Sequence, residues 1–375
     1  MSTIKVNKIE NTATADGGIA IDSSGHVQVD GQQLPTTGPL SNRNLIINGA
    51  MQVAQRSTSE TGQTTLDGYV ALDRHRIQLS SSGTFTISQS TEAPSGFANS
   101  LKFDCTTADS SPDYVVFFQL LEGQDLQQVQ KGTSSAQKLT ASFYVRSSKT
   151  GTYQVNIRDL DNNRLVGASY TIGSADTWEL KTVTFPADTT GAFGNDANAS
   201  LQLEWWLAAG SDYTGGAVPT AWEARVNTDR AAALNVAIGA STADDFYITG
   251  IQLEVGEKAT PFEHRSYGDE LAKCQRYFLR LGPGNLFGGR MNGSGNTDLH
   301  YMFPVTPRTT PSGSVSFDTA SAEHGSSGMT VNSMSINDVG THTATIRAAV
   351  SSGSDGNATF LKTTGTTTID FSAEL

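Results

Sequence analysis

The chain has 375 residues, with Lys+Arg 25 against Asp+Glu 37 and a formal net charge of −12, which excludes a protein that tracks nucleic-acid phosphates with a basic face. Charged residues are only 17%, below the ~25% of an average soluble domain, and Ser, Thr, Asn and Gly take their place, as in a turn-rich β-protein. Two cysteines, Cys105 and Cys274, exclude a disulfide scaffold or a Cys-rich zinc site, and no apolar run nears the ~20 residues that span a bilayer.

Residues 1–40 form a distinct first segment. Lys5 and Lys8 have no apolar h-region behind them, so no secretory signal is expected. Ile4, Val6 and Ile9, then Ile19, Ile21, Val27 and Val29, broken by Asp16-Gly17-Gly18 and Ser24-Gly25, predict short strands and hairpins. The segment has too few apolar residues to build a core alone and needs a partner, either copies of itself or a docking surface. Pro35 to Pro39 reads as a linker.

Residues 41–265 predict one large all-β domain, a jelly-roll sandwich. Leu139, Ala141, Phe143 and Val145 alternate with Thr140, Ser142, Tyr144 and Arg146. Tyr153, Val155 and Ile157 alternate with Gln154, Asn156 and Arg158, and Asp161-Asn162-Asn163 turns the chain into a hairpin. Further strands are expected at Leu180–Phe185, Leu201–Leu207 and Phe246–Val255, with a brief helix at most around Arg230–Leu234.

Residues 266–281 break the alternation. Ser266 with Asp269 resembles a capping box, and Leu271, Cys274, Phe278 and Leu281 recur at i, i+3, i+7 and i+10. That spacing predicts a helical connector with a narrow seam. The seam either meets copies of itself or caps one end of the sandwich. Residues 282–375 predict a second, small β-domain with loops dense in Gly and Ser. No internal repeat of fixed period is present, which argues against a β-helix.

The search for catalytic motifs finds no G-x-S-x-G, H-E-x-x-H or G-x-x-x-x-G-K-[ST]. Asp159, Asp161 and Asn163 mimic the start of a calcium loop, but Arg164 and Tyr170 stand where Gly and Glu are required, so a hairpin turn is the better reading. The six histidines have no metal-ligand spacing, and His75, in Asp73-Arg74-His75-Arg76, reads as part of a surface patch. No metal, cofactor or catalytic residue is expected.

The tryptophans say more. In Leu201 to Leu207, period two places Leu201, Leu203, Trp205 and Leu207 on a core face. Gln202, Glu204 and Trp206 then share the opposite face, with Tyr144, Arg146, Asn156 and Arg158 similarly outward on their own strands. An indole beside an amide and a carboxylate suits a sugar, whose C–H groups stack on the ring while its hydroxyls bond the polar neighbours. Tyr213, in the loop Gly210–Gly216, is a further rim contact. The alternative is that Trp206 packs under a loop or in a subunit contact.

At Asn44-Leu-Ile-Ile-Asn-Gly-Ala-Met-Gln-Val-Ala-Gln-Arg56 the chain resembles bacteriophage tail-fibre and receptor-binding proteins. Ile248-Thr-Gly-Ile-Gln-Leu-Glu-Val-Gly256, Glu270-Leu-Ala-Lys-Cys-Gln-Arg-Tyr-Phe278 and the opening Ser2 to Glu10 reinforce the likeness. The resemblance implies a homotrimer in the virion tail. Its N-terminus would be held by tail or adaptor proteins, followed by a jelly roll similar to carbohydrate-binding modules, a helix and a small C-terminal β-domain. It implies host attachment through surface polysaccharide or lipopolysaccharide; the acidic balance and the lack of a long apolar run predict no nucleic-acid partner and no membrane embedding. Trivalency would raise the avidity of weak sugar contacts by ~10²–10⁴. The competing expectations are a glycan depolymerase or esterase, and a purely structural tail spacer.

Overall fold

The computed structural model describes residues 8–10, 18–21, 27–29, 32–33 and 41–375, apart from 81, 294, 325–326 and 352. Ile4, Val6, the first two turns and the linker around Pro35 to Pro39 lie largely outside the described residues. The fold is all-β, with 48% strand and 7% helix. Two compact units emerge. The first takes in the described residues up to Gln52, then Ser59–Ala71 and His75–His264; the second takes in Val53–Thr58, Leu72–Arg74 and Arg265–Leu375.

The described residues begin with an antiparallel four-stranded sheet, β1 (Lys8–Glu10), β2 (Gly18–Ile21), β3 (Val27–Val29) and β4 (Gln32–Gln33), in that order. Ile9 pairs with Ile19 and Ile19 with Val29, so the three form a row on one face, joined by Ile21 two residues on. Ile9 is 60% exposed, Ile19 46% and Ile21 45%. The sheet has an apolar face that it does not bury.

The sandwich is built from β5 (Ser59–Gln63), β6 (Leu66–Gly68), β7 (Arg76–Ser80), β8 (Thr84–Ser90), β9 (Ser100–Thr107), β10 (Tyr114–Glu122), β11 (Leu139–Ser147), β12 (Gly151–Asp159), β13 (Arg164–Ile172), β14 (Glu179–Phe185), β15 (Ala199–Ala209), β16 (Glu223–Ala224) and β17 (Asp245–Val255). One sheet has seven strands in the order β16-β13-β12-β15-β10-β7-β6; the other has six, β14-β11-β17-β9-β8-β5. The β12–β13 hairpin turns where Asp161-Asn162-Asn163 predicted it, with Asn163 at φ 50°. Around Arg230–Leu234 there is a single 3-10 turn, Asn227–Asp229, and then irregular chain.

Period two decides the core. Leu201, Leu203, Trp205 and Leu207 on β15 are all fully buried. Trp205 stacks on Phe117 of its own sheet at 5.0 Å and meets Phe143 of the other edge-on at 5.6 Å. The segment Asn44–Gly49 lies along β17. Leu45 N donates to Leu253 O (2.9 Å), Leu253 N to Asn44 Oδ1 (3.1 Å) and Ile251 N to Gly49 O (2.9 Å). A Cβ on Gly49 would collide with the Ile251 carbonyl oxygen, so glycine is required there. The two motifs Asn44–Arg56 and Ile248–Gly256 are therefore partly one packing arrangement.

In the second unit the Ser266 side chain accepts from Asp269 N (3.2 Å) and opens a helix over Tyr267–Gln275. The helix stops there, which corrects the expected connector over 266–281. Tyr277 to Leu281 is an aromatic and aliphatic run with strand propensity, and Phe278–Leu281 forms β18, paired with Thr368–Ser372. Cys274, Phe278 and Leu281 are buried inside this unit and Leu271 is half-buried, so the four do not form an exposed helical seam. A closed six-stranded barrel follows, filled by Phe287, Met291, Leu299, Ile346 and Leu361.

The same unit holds a buried polar cluster. Gln55 Nε2 donates to Asp73 and to the Phe278 carbonyl (2.7 Å). Arg56 lies 3.5 Å over the Phe278 ring and Arg74 3.5 Å over the Tyr277 ring, and both pair with Glu374. Burial pushes the Asp73 carboxyl up to about 6, against hydrogen bonds from Gln55 and the charge of Arg56. In the first unit His75 is 1% exposed, with Nε2 against Asn48 O at 3.2 Å. The expected surface patch at 73–76 is thus largely interior.

Candidate functional site

The face expected to meet a sugar is closed. Trp206, Glu204, Gln202 and Asn156 do share one face of the seven-stranded sheet, but all are buried, Trp206 to 1% exposure. The segment following β15 folds back over them. Arg230 donates to Glu204 through Nε (3.1 Å) and Nη2 (2.6 Å), and its guanidinium sits 4.8 Å over the Trp206 ring. Glu204 also accepts from Asn156 (2.9 Å), Gln202 (2.7 Å) and Trp206 Nε1 (3.0 Å). Gln154 holds the returning chain, donating to Asp229 O (2.8 Å) and accepting from Ala233 N (2.9 Å).

Electrostatics fit an internal lock. Burial alone would raise the Glu204 carboxyl, but the charge and hydrogen bonds of Arg230, the charge of Arg158 and the Asn156 bond hold it at about 2. Burial lowers Arg158 to about 10, opposed by Glu204 and reinforced by the nearby charges of Arg230 and Arg225. Arg158 donates to Gln202 Oε1 at 3.0 Å. Glu204, Arg230, Asn156 and Gln202 bond one another rather than being presented to a ligand. The sequence signal for this was Arg230-Ala-Ala-Ala-Leu234, an apolar stretch around one cation, with Ala231 packing on Val116 and Trp206.

The calcium-like stretch behaves in a related way. Asp159 Oδ2 accepts from Lys131 Nζ at 2.5 Å, and Asp188 (3.0 Å) and the carbonyls of Thr190 and Gly191 (2.8 Å each) complete the shell. An ammonium takes the Asp159 oxygen, and Asp161 Oδ2 accepts from Gly194 N (2.8 Å). Among the described residues no group of three or more His, Cys, Asp or Glu side chains could hold a metal ion. Among the described residues no helix is long and apolar enough to cross a membrane.

Tyr144 and Arg146 lie elsewhere, on the outer face of the six-stranded sheet. Tyr144 lines an open groove of about 490 Å³ together with Phe97, Leu180, Phe262 and His264. Phe97 stands at the centre, 5.5 Å from Tyr144, 5.0 Å from Phe262 and 5.2 Å from His264. Leu180 is 55% exposed, and Ser95, Ser142, Thr182 and Thr260 add hydroxyls.

The groove is built by a bulge. Ser142 pairs with Gln252 and Tyr144 with Thr249, so Gly250 and Ile251 together oppose Phe143. Gly250 has φ +62°, and a Cβ there would come within 2.7 Å of Phe97 and 3.0 Å of Tyr144. The glycine lets both rings settle against the sheet. The far rim is fixed by Glu254, which accepts from Thr260 N and Oγ1 (2.8 Å each), and by Arg43, which donates to Pro261 O (3.2 Å). Arg146, next along the face, pairs with Glu92 and Asp176 and lies 4.9 Å over Tyr247, whose ring also meets Trp178 at 6.1 Å. Sequence reading missed Phe97, Phe262 and His264, because loops bring them to Tyr144.

Tyr213 lines a third place, a cleft at one end of the sandwich that also holds Tyr114, Asp113 and Asp212.

No known family matches the sequence, and no curated protein does. Several solved structures are similar at low identity. One is a putative sugar binding protein from Bacteroides thetaiotaomicron, at 12% identity and a TM-score of 0.32, covering 57% of this chain and 100% of that one. Another is the C-terminal family 22 carbohydrate binding module of Clostridium thermocellum Xyn10B, at 10% identity and a TM-score of 0.31, covering 59% and 99%. A third is the enzymatically active domain of Bacteriophage CBA120 tailspike protein 4, at 13% identity and a TM-score of 0.30, covering 56% of this chain; the match spans 21% of that chain's length.

Proposed function

We propose that this protein is a non-enzymatic glycan-binding adhesin: a trimeric bacteriophage tail fibre that attaches the virion to host surface polysaccharide or lipopolysaccharide. The neighbouring structures are too dissimilar to carry this reading, and its support comes from the chain's own surface. The observation that carries it is the groove around Tyr144. Aromatic side chains and serine and threonine hydroxyls on a sparsely charged β-sheet surface are the chemistry that a neutral pyranose requires. The groove takes the place of the Trp206 face, which Arg230 fills.

The exposed row Ile9, Ile19 and Val29 supports assembly, since a small sheet with an open apolar face gains stability by covering it with identical chains. With the helical seam gone, this sheet is the remaining support for a trimer.

The test is binding of the intact protein to host cells and extracted polysaccharide, with its mass measured by light scattering. Tyr144→Ala lowers affinity about tenfold or more, equivalent to ~1.4 kcal/mol, with tryptophan fluorescence unchanged. A folded Tyr144→Ala protein that binds as tightly as the parent removes the groove. Shortened or deacetylated polysaccharide in the incubation replaces the adhesin with an enzyme, and a monomeric mass removes the trimer.

A further inference from the structure

The end cleft has a chemistry of its own. It encloses about 560 Å³ between Ser110–Tyr114 and Ala209–Tyr213, where β10 begins and its partner β15 ends. Its lining carries the carboxylates of Asp113 and Asp212, the hydroxyls of Ser110, Ser111 and Ser211, and two tyrosine rings, with no Lys, Arg or His. Two cations stand behind the wall and are already paired: Lys149 Nζ donates to the carbonyl of the lining residue Ala237 (2.8 Å) and pairs with Asp244 (2.9 Å), and Arg230, 5.7 Å over the Tyr213 ring, is bound by both oxygens of Glu204.

The walls are held firmly. Gly210 N donates to Asp113 O (2.8 Å), tying the two loops, and Ala231 N donates to Tyr213 O (2.9 Å). Tyr213 packs 4.8 Å from Trp206 and meets Tyr114 edge-on at 5.6 Å. Asp113 is oriented by Ser80 Oγ at 3.0 Å. Burial raises the Tyr114 phenol, which keeps its proton and its capacity to donate.

We propose that this cleft binds a sugar bearing a protonated amine, a hexosamine unit. Two carboxylates attract the ammonium, the tyrosine rings offer apolar surface to the sugar's C–H groups, and the serines meet the remaining hydroxyls. The same two charges repel phosphate and uronate, so the cleft selects against anionic glycans. The site is separate from the Tyr144 groove and stands whether or not that groove binds glycan.

The probe is a glucosamine tetramer against its N-acetylated counterpart, the same backbone without the charge, titrated into the full chain at about pH 6, where the amine is protonated. The expected result is at least about tenfold tighter binding of the free-amine tetramer, since each tenfold is one ion-pair-sized step. Asp113→Asn with Asp212→Asn abolishes that preference. Asp212→Asn alone, whose side chain makes no hydrogen bond or ion pair among the described residues, reduces it and guards against a folding artefact in the double variant. Equal binding of the two tetramers, no binding of either, or a preference that survives the folded aspartate variants overturns the proposal.

Discussion

Glu204→Gln tests whether the Trp206 face is a lock. The substitution keeps the shape and removes the charge that neutralises Arg230 and approaches Arg158 at 3.9 Å. The Glu204 carboxyl sits at about 2 rather than its ordinary 4.5, which corresponds to about 3 kcal/mol of folding free energy. The side chain is fully buried, so solvent takes little from that figure. Breaking a buried pair by removing one partner costs about 3–5 kcal/mol, which agrees. The sign follows from the lowered value: the contribution is complete above the unfolded value of about 4.5 and disappears as pH falls towards 2. Urea unfolding followed by tryptophan fluorescence isolates the sandwich, because Trp178, Trp205, Trp206 and Trp222 all lie in it. At pH 7 the variant is less stable than the parent by about 3 kcal/mol, and the gap narrows between pH 4.5 and 2. A gap under ~1 kcal/mol at pH 7, or one independent of pH, would refute the argument that the face is closed by this ion pair.

Two other buried ionic sites give contrasting expectations. Lys131→Met leaves Asp159 and Asp188 facing each other without their shared cation, and destabilises the sandwich by about 3–5 kcal/mol in the same urea assay. Asp73→Asn does the reverse. Because burial raises Asp73 to about 6, its charge opposes folding above that pH and ceases to do so as the group protonates between pH 6 and 3.8. Unfolding of the second unit, followed by far-UV circular dichroism or hydrogen exchange, shows the Asn variant more stable at pH 8, by up to about 3 kcal/mol, with the advantage gone by pH 4.

Much of the fold could be read from period two. The alternation through Leu139–Arg146, Tyr153–Arg158 and Leu201–Leu207 assigns both strands and faces, and the buried inner residues follow it. The same rule put Trp206 on the face opposite the core. Period two cannot say whether such a face meets water or a returning segment, and Arg230, 24 positions away in the chain, decides that by bonding Glu204. The helix is a related case. An i, i+3, i+7, i+10 stripe and a capping pair predict a helix start well, but Tyr277 to Leu281 satisfies strand and helix spacing alike. Pairing with Thr368–Ser372, about ninety residues away, chooses the strand.

Of the groove residues, Tyr144 alone follows the period-two pattern. Phe97 follows a Pro-Ser-Gly turn, Tyr144 sits mid-strand, and Phe262 and His264 come after the last sandwich strand. Only the order β14-β11-β17-β9 and the extra residue at Gly250 bring their rings within about 5 Å of Phe97. The motifs that are easiest to recognise do something else. Asn44 bonds the backbone of Ile251 and Leu253, Gln252 and Glu254 bind the chain at Thr260, and Gln55 with Arg56 closes on Phe278. Such side chains satisfy buried backbone groups, and any exchange leaves an orphaned donor or acceptor, which holds them fixed for packing reasons. Surface rings on loops carry no such penalty. On the proposed glycan-binding function, specificity is therefore to be sought at Phe97, Tyr144, Phe262 and the Asp113–Asp212 cleft rather than in the motifs.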